Sequence, residues 1–483
     1  MEQPNPRQAV LTLALGVFMS SLDLFIVNLA FPSISRGFHV SGLGELSWVL
    51  NGYTIVFAAT LVPAGRWADR IGRRRSYVAG LTVFSLASAA CGVAPGVGFL
   101  VAARVVQAVG AGVMVPASLS LLLAVVAPAR RPEAIGTWSA LGALGAAFGP
   151  VVGGLLVQLD WRLVFWVNLP VGAATAALAL RALPESRDAA ATRRPDLVGA
   201  AMLAAGVGLV AWALVEAPSW GWGSGRFVAV VVAALVVAGA VVVRCARHAA
   251  PVIDLVLLRS RSFDGALVAS ILYYAGFAAF LLNTVEFLTG VWHYSPIRAG
   301  LAIAPGPLTV LPFARMVAPR LAARLGGPGR VAVIGCAVNA AAQAVWLAGI
   351  QVHPAYAGHL LPAQLIGGMG VGLTIPSLLG AGSASLPPAR FGAGSGVLNM
   401  GRQVGSVLGV AGLVAILARL APGDPLATFR TAIVMIIGFF AAAAVLSLAV
   451  LARKTDPRAP ALPAPALINP ASPPGLVPPA VQP

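Results

Sequence analysis

Charge is scarce in this chain. Charged residues make up 10% of its 483 positions and hydrophobic ones 59%, whereas a soluble domain carries about a quarter charged residues. A soluble globular protein is therefore excluded. Lysine is almost missing, with Lys454 the single example among 32 basic residues. No G-x-x-x-x-G-K-[ST] phosphate loop precedes it, which argues against a nucleotide-driven pump using ATP. Cysteine is limited to Cys91, Cys245 and Cys336, far apart, so neither a disulfide framework nor a metal centre is implied. The five histidines, His39, His248, His293, His353 and His359, hold no ligand or catalytic spacing with acids. No metal, no cofactor and no enzyme chemistry is expected.

What the chain does have is apolar runs of about twenty residues, each long enough to cross a hydrocarbon core of about 30 Å as a helix. Barrel strands would alternate over about ten residues, and these runs do not. The fold class expected is an all-α polytopic membrane protein. Fourteen runs are read, at 8–33, 46–65, 76–95, 98–127, 135–157, 163–183, 197–216, 227–246, 263–291, 298–318, 331–350, 359–386, 391–418 and 429–452. The first follows Arg7, exceeds a signal-peptide core and is read as an uncleaved span.

Net charge is +17, yet the basic residues sit in short loops and do not gather on one face, which argues against nucleic acid. With the N-terminus inside, most arginines fall on cytoplasmic loops, while Arg36, Arg162, Arg226, Arg298, Arg419 and Arg430 fall outside. The positive-inside rule then predicts both termini in the cytoplasm and a multi-pass protein of the inner membrane. After Lys454 the sequence "TDPRAPALPAPALINPASPPGLVPPAVQP" cannot propagate a helix and reads as a disordered tail.

The chain repeats itself. "RVVQAVGAGVMVP" at 104–116 lies over "QLIGGMGVGLTIP" at 364–376, aligning Gly110, Gly112 and Pro116 with Gly370, Gly372 and Pro376. The same offset places Gly136, Gly145 and Gly149 on Gly396, Gly405 and Gly409, and "ADRIG" at 68–72 has a degraded copy, "AARLG", at 322–326. Both copies fall on the same side of the membrane, as in transporters built from two parallel halves. The expected organisation is an N-terminal six-helix half at 1–184, two linker helices at 185–260, a second six-helix half at 261–452, and a Pro/Ala-rich cytoplasmic tail at 453–483.

Three local patterns carry more than hydropathy. "GRWADRIGRRR" at 65–75 joins the second and third spans. Gly65 and Gly72 permit a tight loop, Asp69 can meet an arginine or a helix N-terminus, and Arg70, Arg73 and Arg74 hold the loop inside. In the fifth span Gly145, Gly149 and Gly153 recur every four residues, a smooth face on which another helix can settle, with Pro150 adding a bend. In the fourth span Arg104 and Gln107 lie one turn apart, and a guanidinium inside a span needs carboxylate, carbonyl or water partners.

With these motifs, and "LDLFIVNLAFPSI" in the first span, nearly the whole chain resembles the major facilitator superfamily. The fourteen-span plan and the glycine-proline series look like its drug:proton antiporter branch. The resemblance implies the major facilitator fold with a 6+2+6 helix arrangement, two pseudo-symmetric halves and alternating access. It implies that the glycine series gates outward-directed exchange, that Asp69 latches the second and third helices to the other half, and that Arg104 belongs to the proton-coupling machinery.

Two acids lie well inside spans, Asp23 and Glu286, and such residues face protein or water and serve function. Both are expected in the outer halves of their helices, on opposite walls of a cavity, where a proton and a cationic substrate could compete for one carboxylate. Asp23 could instead bond Asn28 or Ser21 as a packing acid. Asn28, Asn51, Tyr53, Gln107, Asn399, Arg402 and Gln403 are the candidate cavity residues. The reading is a proton-coupled exporter of amphipathic, cationic drugs or antibiotics, whose partners are a small-molecule substrate, protons and the lipid bilayer. A dedicated exporter of a self-made metabolite and a nutrient importer of the same superfamily are the alternatives.

Overall fold

The computed structural model describes residues 6–40, 43–127, 130–187, 195–248, 251–384, 386, 391–418 and 425–452. The Pro-rich segment at 453–483 lies outside the described residues. The first six-helix half contains α1 (Pro6–Phe38), α2 (Leu43–Ile71), α3 (Arg73–Gly92), α4 (Val97–Val125), α5 (Arg131–Leu159), α6 (Leu163–Trp166) and α7 (Asn168–Ala182). Then come α8 (Leu197–Trp220) and α9 (Gly225–Arg247). The second half holds α10 (Arg261–Gly290), α11 (Pro296–Ile303), α12 (Pro305–Pro312), α13 (Ala318–Leu325), α14 (Pro328–Gly349), α15 (Leu361–Ala384), α16 (Phe391–Leu417) and α17 (Pro425–Leu446).

Among the described residues, 12 helical segments are long and apolar enough to cross a membrane. Two further helices, α3 and the part-described α5, take the third and fifth places of the expected order. Exposed side chains on the outer helices are apolar: on α9, Val228, Val232, Leu235, Val236, Val242 and Val243 all point away from the protein. Such a surface is stable against lipid and not against water.

Proline explains the broken segments. The sixth splits at Val167 because Pro170, in the first turn of α7, has no N–H to continue the ladder from α6. The tenth breaks at Ala304, before Pro305, and loosens into a π-helical turn over Phe313–Val317 after Pro312. The expected loop at 65–75 is in fact almost entirely helical. α2 runs through Ile71, α3 starts at Arg73, and Gly72 alone turns the corner with φ 129°, a conformation a side chain would oppose. Its counterpart Gly326 also has positive φ, 78°.

Backbone contacts reproduce the repeat. Gly80 of α3 lies against Gly110 and Met114 of α4, and Gly335 of α14 lies in the same way against Gly370 and Thr374 of α15. Gly145 of α5 faces the Phe18 carbonyl of α1, while Gly405 of α16 faces the Ile271 carbonyl of α10. The spatial register therefore pairs Arg104 with Gln364, and Asp23 with Gly276.

The halves meet where α2 rests on α16 and where α11 rests on α5. In the second contact Gly154 backs onto Pro296 and Ile297, and Gly300 onto the Pro150 carbonyl. α8 leans on both α2 and α16, with α9 outside it.

Candidate functional site

A helix crossing the bilayer at α1 brings Asp23 to face the interior of the first half, where it is fully buried. Arg104 reaches it from α4: Nη1 donates to Asp23 Oδ2 at 2.6 Å and to Gln107 Oε1 at 2.7 Å. The other carboxylate oxygen accepts two more bonds, from Gln107 Nε2 at 2.9 Å and from Asn168 Nδ2 at 2.9 Å. Arg104 Nε donates to the Val49 carbonyl of α2 at 3.3 Å, and its guanidinium lies 4.1 Å from the centre of the Tyr53 ring. Asn168 also donates to Ser88 Oγ at 3.0 Å, and Ser88 donates to the Phe165 carbonyl at 2.7 Å. Five helical segments thus converge on one ion pair.

Both charges are 0% exposed. Removing two ions from water is costly, and their attraction repays it only when the remaining donors and acceptors are also satisfied. Here the carboxylate holds three partners, and the aromatic face of Tyr53 takes part of the cation's field. This arrangement differs from the expected one. Asp23 does not stand on a cavity wall opposite Glu286; it is turned into the first half, because the buried guanidinium of Arg104 offers the charge it needs. Asn28 bonds the Leu24 carbonyl in its own helix, at 3.0 Å, and not Asp23.

Asn168 and Ser88 were missed by sequence reading. Both are ordinary polar residues, 145 and 65 positions from Asp23, and no motif spacing connects them to it. The proline that breaks the sixth segment is the one available signal, since it places Asn168 at the start of α7.

The remaining candidates lie elsewhere. Glu286 on α10 is largely enclosed; its Oε1 has no hydrogen-bond partner and it joins no ion pair among the described residues. One turn earlier Asn283 is fully buried with both amide atoms unpartnered, and Gln343 Oε1, Trp346 Nε1 and Gln364 Nε2 on α14 and α15 are likewise buried without partners. The second half therefore carries unpartnered amides where the first carries an ion pair whose carboxylate is fully partnered, although Arg104 Nη2 and Asn168 Oδ1 have no hydrogen-bond partner among the described residues. Arg402 of α16 donates to Asn399 Oδ1 at 2.8 Å and stacks 4.5 Å over Tyr274, with Gln403 half-buried beside it. Asn51 is buried with both amide atoms unpartnered. Asn28, Phe25, Leu29, Pro150, Leu281, Val285 and Ile303 enclose a space of about 10 Å³ between the halves, room for a single water and no more.

The glycine face of α5 seats α1. A side chain at Gly145 would run into the Phe18 carbonyl, one at Gly149 into Phe25, and one at Gly153 into Ile26. The helix that carries Asp23 is held by α5, and α5 in turn touches the second half through Pro150. At the α2–α3 corner Arg73 Nε meets Asp69 at 2.8 Å, and Arg70 is exposed. Glu185, beyond α7, caps the start of α3 by accepting the backbone N–H groups of Arg74 and Arg75 at 3.1 and 3.2 Å. Gly65 permits close passage of Pro116.

Among the described residues, 12 helical segments long and apolar enough to cross a membrane, with repeated backbone contacts and a buried charge pair between helices, fit a polytopic membrane protein. The family model described as Major Facilitator Superfamily matches residues 13–410. The chain belongs to that superfamily. Its sequence is 32% identical over 421 residues to the tetracenomycin C resistance and export protein of Streptomyces glaucescens, covering 86% of this chain and 76% of that one. It is 35% identical over 425 residues to the drug efflux pump JefA of Mycobacterium tuberculosis, covering 86% and 81%. The solved POT family transporter PepTSo shares the fold, with a TM-score of 0.65 at 15% identity over 92% of this chain and 98% of that one.

Proposed function

We propose that this protein exports amphipathic, cationic organic compounds, drugs or antibiotics, in exchange for protons, as a member of the fourteen-helix drug:proton antiporter branch. The observation that carries the proposal is the Asp23–Arg104 pair, buried at 2.6 Å with no water-exposed surface. A proton delivered to Asp23 cancels its charge, removes the attraction that ties α1 to α4 and leaves Arg104 seeking another anion. Proton arrival and helix rearrangement become one event. The relatives named for drug efflux and antibiotic export support the direction of transport.

In this reading α1 moves on the glycine face of α5, passing the change to the second half through the α5–α11 contact. The two halves, 1–184 and 261–452, rock about the site, and the Asp69–Arg73 corner with Gly72 limits the swing at the α2–α3 end. The unpartnered amides of Asn283, Gln343 and Gln364 supply neutral hydrogen bonds to substrate, and Glu286 supplies the carboxylate that receives its cationic group. The protein sits in the cytoplasmic membrane with both termini inside, as its arginine distribution directs.

The test uses proteoliposomes holding an imposed pH gradient, with ethidium as the cation. Uptake that follows the gradient and stops when an ionophore collapses it supports antiport. Uptake indifferent to the gradient would exclude it. One-for-one exchange of a proton for a monovalent cation moves no net charge, so the pH gradient drives it, and each unit of that gradient, about 1.4 kcal/mol, supports about tenfold accumulation.

A further inference from the structure

The two linker helices form no part of the ion-pair site, yet α8 carries a groove that faces outward. Trp48 of α2 and Trp212 of α8 form its walls, and Ala205, Gly208 and Leu209 its floor. The space above it, about 450 Å³, is shallow and open on its outer side. It exists because the floor is small: Gly208 has no neighbouring side chain within 4 Å. Gly44 of α2 meets Val215 of α8 nearby, so the groove lies close to one end of the bundle.

One turn beyond Trp212 on the same helical face comes Glu216, and one turn further Trp220. The two indoles meet edge to face, 5.2 Å apart at 78°. Glu216 accepts a 3.0 Å bond from Ser219 Oγ and pairs with no cation among the described residues. Sequence reading ended this span at 216, which placed the acid at the helix end; α8 continues to Trp220 and keeps the acid between two tryptophans.

Tryptophans near a membrane surface are often simple anchors. An anchor requires neither a hollow nor a carboxylate. A carboxylate on the same helical face as two indoles, one turn beyond the tryptophan that lines an apolar groove, is the chemistry that recognises a lipophilic cation. We propose that the α2–α8 groove binds such a cation from the bilayer, its apolar body between Trp48 and Trp212 and its positive centre at Glu216. An anion would be repelled there. A phospholipid would bring its phosphate against Glu216 along with any amine, so the occupant is a free cation and not a lipid. The inference does not depend on whether cations are the exported species.

The experiment places the full chain in phosphatidylglycerol nanodiscs and titrates a brominated triphenylphosphonium, which quenches tryptophan fluorescence on contact. Saturable quenching is expected in the wild type. Glu216→Gln and Gly208→Leu should each weaken apparent affinity about tenfold, and Trp212→Phe should reduce the quenching amplitude. All three positions are on an outward face, and Gly208 has room for leucine, so the variants should retain the wild-type unfolding midpoint. Quenching that rises linearly with probe, or that Glu216→Gln and Gly208→Leu leave unchanged, would overturn the proposal. So would loss of quenching when phosphatidylethanolamine is added to the discs, which identifies a lipid-amine site. Ethidium transport in proteoliposomes, measured separately, tells failure of the groove from failure of the export reading.

Discussion

Neutralising one member of the Asp23–Arg104 pair should cost more stability than neutralising both. Asp23→Asn strands a guanidinium that has 0% exposure and whose nearest anion, at 2.6 Å, is gone. Arg104→Gln strands a carboxylate that keeps only Gln107 and Asn168 as donors. Breaking a buried pair by removing one partner costs about 3–5 kcal/mol, while replacing both with neutral groups can be nearly neutral. Hypothesis and arithmetic together require non-additivity. Each single variant should lose about 3–5 kcal/mol, and the double variant should lose less than either, a coupling energy of at least about 3 kcal/mol. The second half already shows the neutral solution, since Gln364 stands in the register position of Arg104 and Gly276 in that of Asp23. The assay is unfolding of purified protein in mixed micelles with increasing dodecyl sulfate, followed by tryptophan fluorescence for the wild type, both singles and the double. Additive losses within about 0.5 kcal/mol would refute the reasoning, because the two charges would then not be supporting one another.

Two other perturbations separate packing from charge. Gly145→Val drives a branched side chain into the Phe18 carbonyl, so α1 must lift from α5. We expect a loss of about 1–3 kcal/mol, the usual cost of overpacking, and slowed ethidium transport, both read against Gly145→Ala, which should fall between. At the start of α8, burial works against the charge of Asp196, but Arg244 at 2.7 and 2.8 Å and the Gly199 N–H at 2.8 Å outweigh it and hold the carboxyl below its ordinary value. A lowered folded-state value means stabilisation present above the unfolded value of about 3.9 and lost as pH falls through the folded one. Asp196→Asn should therefore lower the unfolding midpoint at pH 7 by an amount reflecting about 1–3 kcal/mol. The gap from wild type should close below about pH 4; a gap independent of pH would assign the effect to packing.

Hydropathy made the spans readable because the bilayer imposes one length on every helix, and α4, α8 and α14 match their expected ranges within a few residues. The repeat was readable for a related reason: Gly110 is pressed against the backbone of Gly80 and Phe84, and Gly370 against the side chain and N–H of Asn339, so both places favour glycine. The ion pair was only half readable. A charge inside a span announces itself, which brought Asp23, Arg104 and Gln107 forward, but hydrogen-bond partners of ordinary type do not, and Asn168 and Ser88 stayed hidden. Direction was not readable at all. Placing Asp23 on a cavity wall assumed that an intramembrane acid seeks water, whereas a buried arginine on the next helix serves equally well. At 65–75 the arginines and glycines suggested a loop, yet a single glycine suffices for the corner, which the Asp69–Arg73 pair bridges from the end of α2 to the start of α3.

The most direct test of proton-coupled export through Asp23 compares two transport modes in one preparation. Proteoliposomes with wild type or Asp23→Asn are assayed for ethidium uptake driven by a pH gradient, and for ethidium counterflow with equal pH on both sides. The account predicts that the wild type performs both and that Asp23→Asn retains counterflow, proving it folded and able to bind, while losing the gradient-driven mode. Gradient-driven uptake that survives in Asp23→Asn would contradict the account, and the coupling proton would have to bind at a group other than Asp23.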